Sequence, residues 1–395
     1  MTTRRLVLSR SAAVIGAAST GLLLPQIARA QSGKVRVGFM LPYTGTFSQL
    51  GVAIENGVRM AIAEKGDKLG GREIEWFKVD DESEPSKGVE NASKLVQRDK
   101  VDVLIGTVHS GVQMGIQKVV RDSGTLCLIP NAGVHAATRA LCAPNVFRTS
   151  FTNSQPTLAL GKAMVDRGHK RAVWISWKYA AGDEAFEGFR DSYTKAGGTI
   201  VKELGLPFPN VEFQALLTEI ASLKPDAVAC FFAGGGAAKF IKDYAAAGLK
   251  GKIPLYGSGF LTEGVLNAAG PAAEGIVTTM HYSDSLDTPR NKQFRLAYAK
   301  QFRLQPDVYA VQGYDTGQLL VQGAAAVKGD LNNKPALYKA MESAVIDSPR
   351  GKWTMSKSHN PIQDMYLRVV ENGENKVIGV AARALADSGA GCKMA

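Results

Sequence analysis

This sequence predicts an α/β protein of two doubly wound units, and three observations predict it. From Lys34 onward, short β-branched runs alternate with longer helical stretches, the pattern of parallel sheets flanked by helices. Glycine-rich loops stand where the runs give way to helices. The length suffices for two cores: setting aside residues 1–30 as a leader leaves 365 of the 395 residues.

The leader is read from Arg4 and Arg5, the apolar stretch from Ala12 to Leu24, and the small-residue pattern Ala28-Arg29-Ala30 before Gln31. This is the form of an export signal cleaved after Ala30, with paired arginines that fit the twin-arginine kind. The apolar part is too short and too rich in Ala, Gly and Ser for a permanent span, which takes about 20 strongly apolar residues. The mature chain is therefore expected to be soluble and exported.

In the first unit Val35 to Met40 reads as a strand and Gln49 to Lys65 as a helix. Ile74 to Val79 is a strand, and Pro85 to Asp99 a helix with Val89, Ala92, Leu95 and Val96 on one face. Strand Val103 to Ile105, helix Val112 to Asp122 and strand Leu126 to Ile129 complete it. The second unit begins after Phe147-Arg-Thr-Ser150. Its helices are Thr157 to Arg167, Glu184 to Lys195, Phe213 to Leu223 and Ala237 to Ala246, and its strands Arg171 to Ser176, Thr199 to Leu204, Ala227 to Phe232 and Pro254 to Tyr256. Helices Arg290 to Phe302 and Val311 to Val327 follow, and Met365 to Val370 with Lys376 to Val380 reads as a hairpin turning at Glu371-Asn-Gly-Glu374.

Without the four leader arginines (4, 5, 10 and 29) the net charge falls from +11 to +7. No run of five or six like charges exists, so the excess reads as solvated surface and nucleic-acid binding is not expected. Cys127 and Cys230 lie in apolar strand-like runs and are expected to be free core residues. Cys142 and Cys392 lie in loop-like sequence, and in an oxidising compartment they are expected to form one disulfide. No Cys/His spacing points to a metal, and no cofactor is implied.

In open α/β sheets ligands lodge where strand C-termini meet helix N-termini, because unpaired N–H groups and the helix dipole point there. Three loops fit: Gly106-Thr-Val-His-Ser-Gly111, Pro130-Asn-Ala-Gly133 and Phe232-Ala-Gly-Gly-Gly236. They suit a compact ligand with a carboxylate, held by main-chain amides and the Ser110 hydroxyl. They equally suit plain turns that need glycine, and they do not match nucleotide-binding spacings. There is no Gly-x-Ser-x-Gly elbow, no phosphate-binding Gly-x-x-x-x-Gly-Lys loop and no His-Glu-x-x-His, so no catalytic residue is assigned and no enzyme is expected. The cluster Asp80-Asp-Glu82 with Glu84 reads as a strand end and helix cap rather than an acid/base pair.

Taken together, Gly38-Phe-Met-Leu-Pro-Tyr-Thr-Gly45, Leu50-Gly51, Asn56-Gly57, Asp80-Asp81 with Pro85, Ile105-Gly106 with Ser110, and Phe147-Arg148 resemble the branched-chain amino-acid-binding family, periplasmic solute receptors of ATP-driven importers. The resemblance runs from about Lys34 to the end. It implies two Rossmann-like lobes joined by three crossover strands, near Arg148 to Thr152, Met280 to Ser283 and Gly351 to Met355. Lobe 1 would be residues 31–150 with 283–352, and lobe 2 residues 151–282 with 353–395. The location implied is the periplasm, and the partners a permease and ATPase.

The family's carboxylate-binding serine falls on Ser110, beside His109, and its next amides on Asn131, Ala132 and Gly133; the usual hydroxyl residue is missing, with Gly133 or Val134 in its place. The family's acidic partner for an ammonium belongs in the loop Gly257-Ser-Gly-Phe-Leu261, where Gly259 stands instead. An ammonium left unpaired in a closed cleft costs several kcal/mol, which argues against a free α-amino acid. Glu263, a few residues on, is the alternative source of that charge. Phe47, Tyr179 and Phe260 suit a flat apolar body. Phe231-Phe-Ala-Gly234, Gly257-Ser-Gly-Phe-Leu261, His359-Asn-Pro361 and Gly391-Cys-Lys-Met394 further resemble the branch that binds aromatic carboxylic acids. The ligand implied is a small carboxylate of benzoate type. The alternatives are a branched-chain amino acid, or a ligand-sensing role feeding a regulator or receptor.

Overall fold

The computed structural model describes residues 33–395; the leader and its cleavage after Ala30 lie outside the described residues. Elements β1 (Val35–Leu41), α1 (Ser48–Ala63), β2 (Ile74–Asp80), α2 (Pro85–Ser93), β3 (Val103–Ile105), α3 (Ser110–Ser123), β4 (Leu126–Ile129) and β5 (Val146–Arg148) form the first unit. Its strands are all parallel, in the order β2-β1-β3-β4-β5. Every residue of β3 and β4 is buried. That is why these strands read as unbroken apolar runs, since helices cover both faces of a parallel sheet. The edge strand β2 instead exposes Glu75 and Lys78.

The second unit holds α4 (Ser154–Asp166), β6 (Arg171–Lys178), α5 (Ala180–Lys195), β7 (Thr199–Pro207), α6 (Gln214–Leu223), β8 (Ala227–Phe231), α7 (Gly234–Ala246), β9 (Leu255–Ser258), α8 (Leu266–Ala269) and β10 (Val277–Met280). Helices α9 (Pro289–Phe302), α10 (Val308–Ala326) and α11 (Lys334–Glu342) then return to the first unit, α10 packing along α1. Strands β11 (Thr354–Met355), β12 (Pro361–Glu371) and β13 (Glu374–Leu385) close the second sheet, whose order is β11-β12-β10-β9-β8-β6-β7 with β13 beside β12. The chain thus passes between the two sheets three times, over residues 149–153, 281–288 and 343–353. The β12–β13 hairpin turns at Asn372 and Gly373, both at positive φ, as the Asn-Gly pair requires.

Five short elements, β5, α8, β10, α11 and β11, have no counterpart in the sequence expectation, and α2 is shorter than expected. Strand β10, of sequence Val-Thr-Thr-Met, is four residues long with threonines at its centre and lacks a continuous apolar signal. Helix α11 is short and begins Lys-Pro. Helix α2 is regular only to Ser93; the turn over Lys94–Arg98 is wider than an α-helical one.

The crossing segments are tied by buried polar groups. Arg350 Nε lies 2.9 Å from Asp315 Oδ2, and its Nη2 donates to Thr149 O at 2.6 Å. Arg148 Nη1 donates to Thr138 Oγ1 at 2.6 Å and to Asn360 Oδ1 at 2.8 Å.

Cys142 and Cys392 are bonded, with Cα atoms 5.5 Å apart at a sequence separation of 250, while Cys127 and Cys230 are buried free thiols. The bridge fastens the tail, as does Arg139, whose Nη2 lies 2.8 Å from Asp387 Oδ2. Denatured, unreduced protein is expected to titrate two thiols; four would refute the bridge. Reducing it is expected to cost about 2–4 kcal/mol in a urea melt, the usual range for a disulfide.

Candidate functional site

A narrow cavity of ≈ 20 Å³ lies between the two sheets, walled by loops at strand C-termini. Ser110 opens α3, Tyr179 and Ala181 stand at the start of α5, and Ala233 immediately precedes α7. Three helix N-termini therefore face one space, each with orphan N–H groups and the positive end of its dipole. No Asp, Glu, Lys or Arg lines the cavity. Its polarity comes from neutral donors, so the arrangement favours an anion without supplying a counter-ion.

Phe47, Phe151, Tyr179, Phe231, Phe260 and Tyr309 form the apolar walls. Their rings support one another: Phe151 and Phe260 lie 4.7 Å apart, Phe260 and Tyr309 6.1 Å, Tyr179 and Phe231 6.3 Å. Such walls fit a flat ring, by area and by ring-edge contact.

His109 caps α3: its Nδ1 accepts from the Gly111 N–H at 3.1 Å, which leaves the proton on Nε2. The ring stacks on Tyr179 at 4.7 Å, and burial drives its pKa down to about 4, so it is neutral. Its Nε2 and the Tyr309 hydroxyl are buried with no partner among the described residues. Asn131 Nδ2 donates to Gln312 Oε1 at 2.7 Å, and the Ala132 N–H is spent on Thr107 O at 2.9 Å.

Of the residues singled out from sequence, Phe47, Ser110, Asn131, Gly133, Tyr179 and Phe260 line the cavity, while His109, Ala132, Gly234 and Gly259 stand behind it. Gly259 packs on Met280, and its carbonyl accepts from Arg368 Nη2 at 3.2 Å. The Asp80–Glu84 cluster is structural: Asp80 accepts from the Tyr43 N–H, and Asp81 from the Ser83 N–H, both at 2.9 Å.

Glu263 is not free to meet a ligand. One carboxylate oxygen is bound by Arg368 Nη1, and the other accepts from the Val308 N–H at 3.1 Å. Glu184 touches the lining residue Asn153: it accepts from the His135 N–H at 2.9 and 3.0 Å and from Asn153 Nδ2 at 2.8 Å. Burial pushes its pKa up to about 7, against the opposing hydrogen bonds from Asn153 and the His135 amide.

Sequence reasoning missed Phe151, Asn153, Phe231 and Tyr309 as lining residues. Phe151 and Asn153 directly follow the Phe147-Arg-Thr-Ser150 segment, and that adjacency was the available signal. Tyr309 opens α10, far along the chain, and nothing local marks it.

Residues 34–375 match the family model described as periplasmic binding protein. A curated relative, Leu/Ile/Val-binding protein homolog 6 of Brucella abortus, is 29% identical over 353 residues, covering 86% of this chain and 88% of that protein. Among solved structures, the solute-binding protein of an ABC transporter from R. palustris in complex with benzoate is 52% identical, with a TM-score of 0.89, covering 91% of this chain and 100% of that one. The solute-binding protein from Rhodopseudomonas palustris BisB5 in complex with 3,4-dihydroxy benzoic acid is 30% identical, with a TM-score of 0.85, covering 90% and 99%.

Proposed function

Because this chain belongs to the periplasmic binding protein family, we propose that it is the periplasmic receptor of an ABC importer and that its ligand is a small aromatic carboxylate of benzoate type. The observation that carries the reading is the cavity itself: aromatic walls, three helix N-termini and no ionised lining residue. A carboxylate would take donors from the Ser110 hydroxyl and from the Gly133 N–H, which has no acceptor among the described residues. The ring would lie against Phe47, Tyr179 and Phe260, and the ligand would leave unaltered.

A branched-chain amino acid is disfavoured by a specific contact. Its ammonium needs an acid, and Glu263 is already neutralised by Arg368. In this reading the lobes are residues 31–150 with 283–352 and residues 151–282 with 353–395, after a leader removed at Ala30. They close about the three crossings, and a permease and its ATPase respond to the closed form.

Melting the protein with single ligands tests this. At a hundred times its dissociation constant a ligand adds about 2.7 kcal/mol. Benzoate and hydroxybenzoates are expected to raise the melting temperature and leucine to leave it unchanged. Stabilisation by leucine alone would overturn the ligand assignment.

A further inference from the structure

We propose that Asn153, held by Glu184, is a positioning residue that fixes the Ser110 hydroxyl as a donor, so that the cavity selects a carboxylate over its uncharged amide. The inference rests on the aromatic-carboxylate reading above and deepens it.

Four observations carry it. Asn153 Nδ2 lies 2.8 Å from Glu184 Oε2 and 3.2 Å from Ser110 Oγ, so both amide hydrogens are engaged. Glu184 already takes the His135 N–H with both oxygens, and its Oε2 also accepts from Asn153 Nδ2. It therefore fixes which end of the Asn153 amide faces it, and with that the end which faces Ser110. The Asn153 backbone is also tied, its N–H donating to Gly133 O at 2.8 Å.

Gly133 makes the arrangement possible. A Cβ there would stand 2.3 Å from Asn153 Oδ1 and 2.8 Å from Asn153 N, so any side chain at 133 expels the amide. The room a side chain at 133 would take is here filled by the Asn153 amide.

The chemical consequence follows from the hydroxyl's inventory of one donor and two acceptors. With one lone pair of Ser110 Oγ occupied by Asn153, and no acceptor among the described residues for its proton, the O–H is left for the cavity. A carboxylate is acceptor-only and matches it. An amide presents N–H groups as well, and a hydroxyl free to turn would serve it equally.

Titration calorimetry with benzoate and benzamide tests this on Ser110→Ala, Asn153→Ala, the double variant and Glu184→Gln. Asn153→Ala is expected to weaken benzoate about tenfold, the scale of one charge-assisted hydrogen bond, and benzamide about threefold or less. In the Ser110→Ala background the second substitution is expected to cost less than about twofold, because the two residues act through one bond. Glu184→Gln leaves every lining residue in place and covers the case in which Asn153→Ala does not fold. It is expected to weaken benzoate about threefold and leave benzamide unchanged. Multiplying effects of Ser110→Ala and Asn153→Ala, or equal losses for benzoate and benzamide, would overturn the relay while leaving the ligand assignment standing. Unchanged benzoate affinity in Ser110→Ala, or no benzoate binding by the wild type, would remove the ligand site and the relay together.

Discussion

Replacing Arg368 with Met is expected to lower the unfolding free energy by about 3–5 kcal/mol, the cost of stranding one member of a buried ion pair. Arg368 stands on β12, fully buried. Its Nη1 binds Glu263 and donates to Tyr282 O at 2.8 Å, and its Nη2 reaches Thr278 Oγ1 at 3.1 Å. One guanidinium thereby joins β12 to β10 and to the loop after β9. Methionine fills comparable volume and satisfies none of these acceptors. Glu263, 4% exposed, would keep only the Val308 N–H as partner. Urea midpoints with unchanged slope measure the effect. A loss below about 1 kcal/mol would mean that water reaches the carboxylate and that the pair is not structural. The double variant Glu263→Gln, Arg368→Met is expected to recover part of the loss, since no buried charge is then left alone.

The alternation of strand and helix was legible because each central strand is buried on both faces and each helix on one. Val103 to Ile105 and Leu126 to Ile129 are placed to the residue. Helix starts were read late: α3 begins at Ser110 rather than Val112, α7 at Gly234 rather than Ala237, and α5 at Ala180 rather than Glu184. Their first turns consist largely of Gly, Ala and Ser, which carry no periodic apolar signal. Those same turns build the cavity, so the part least visible to periodicity is the part that borders it. Ser110, Asn131 and Gly133 were legible because a strand C-terminus in a parallel sheet is a ligand position for general reasons. Asn153 and Tyr309 were not, because their convergence on that point is set by how the two sheets close, which no local pattern encodes. The same holds for Glu263: its sequence position fits a ligand partner, and only the distant Arg368 shows otherwise.

Gly234→Val is expected to weaken benzoate by about 1–3 kcal/mol through a clash confined to the closed form. Gly234 opens α7 in the second unit, and Thr46 lies in the loop between β1 and α1 of the first. A Cβ at 234 would stand 2.5 Å from Thr46 O and 3.3 Å from Phe47 Cδ1. Opening that carries the Thr46 loop away from α7 would remove the clash. Its φ of +57° adds a separate penalty of about 1–2 kcal/mol, because valine is strained there whether or not ligand is bound. The two costs therefore appear in different measurements: strain in the melting of free protein, and the clash in the affinity. X-ray scattering separates them further. Wild type is expected to contract on adding benzoate, while the variant at the same ligand concentration stays at its free dimensions. Contraction with unaltered affinity would show that the Thr46 loop yields without cost. The close approach at Gly234 would then be no part of what holds the lobes shut.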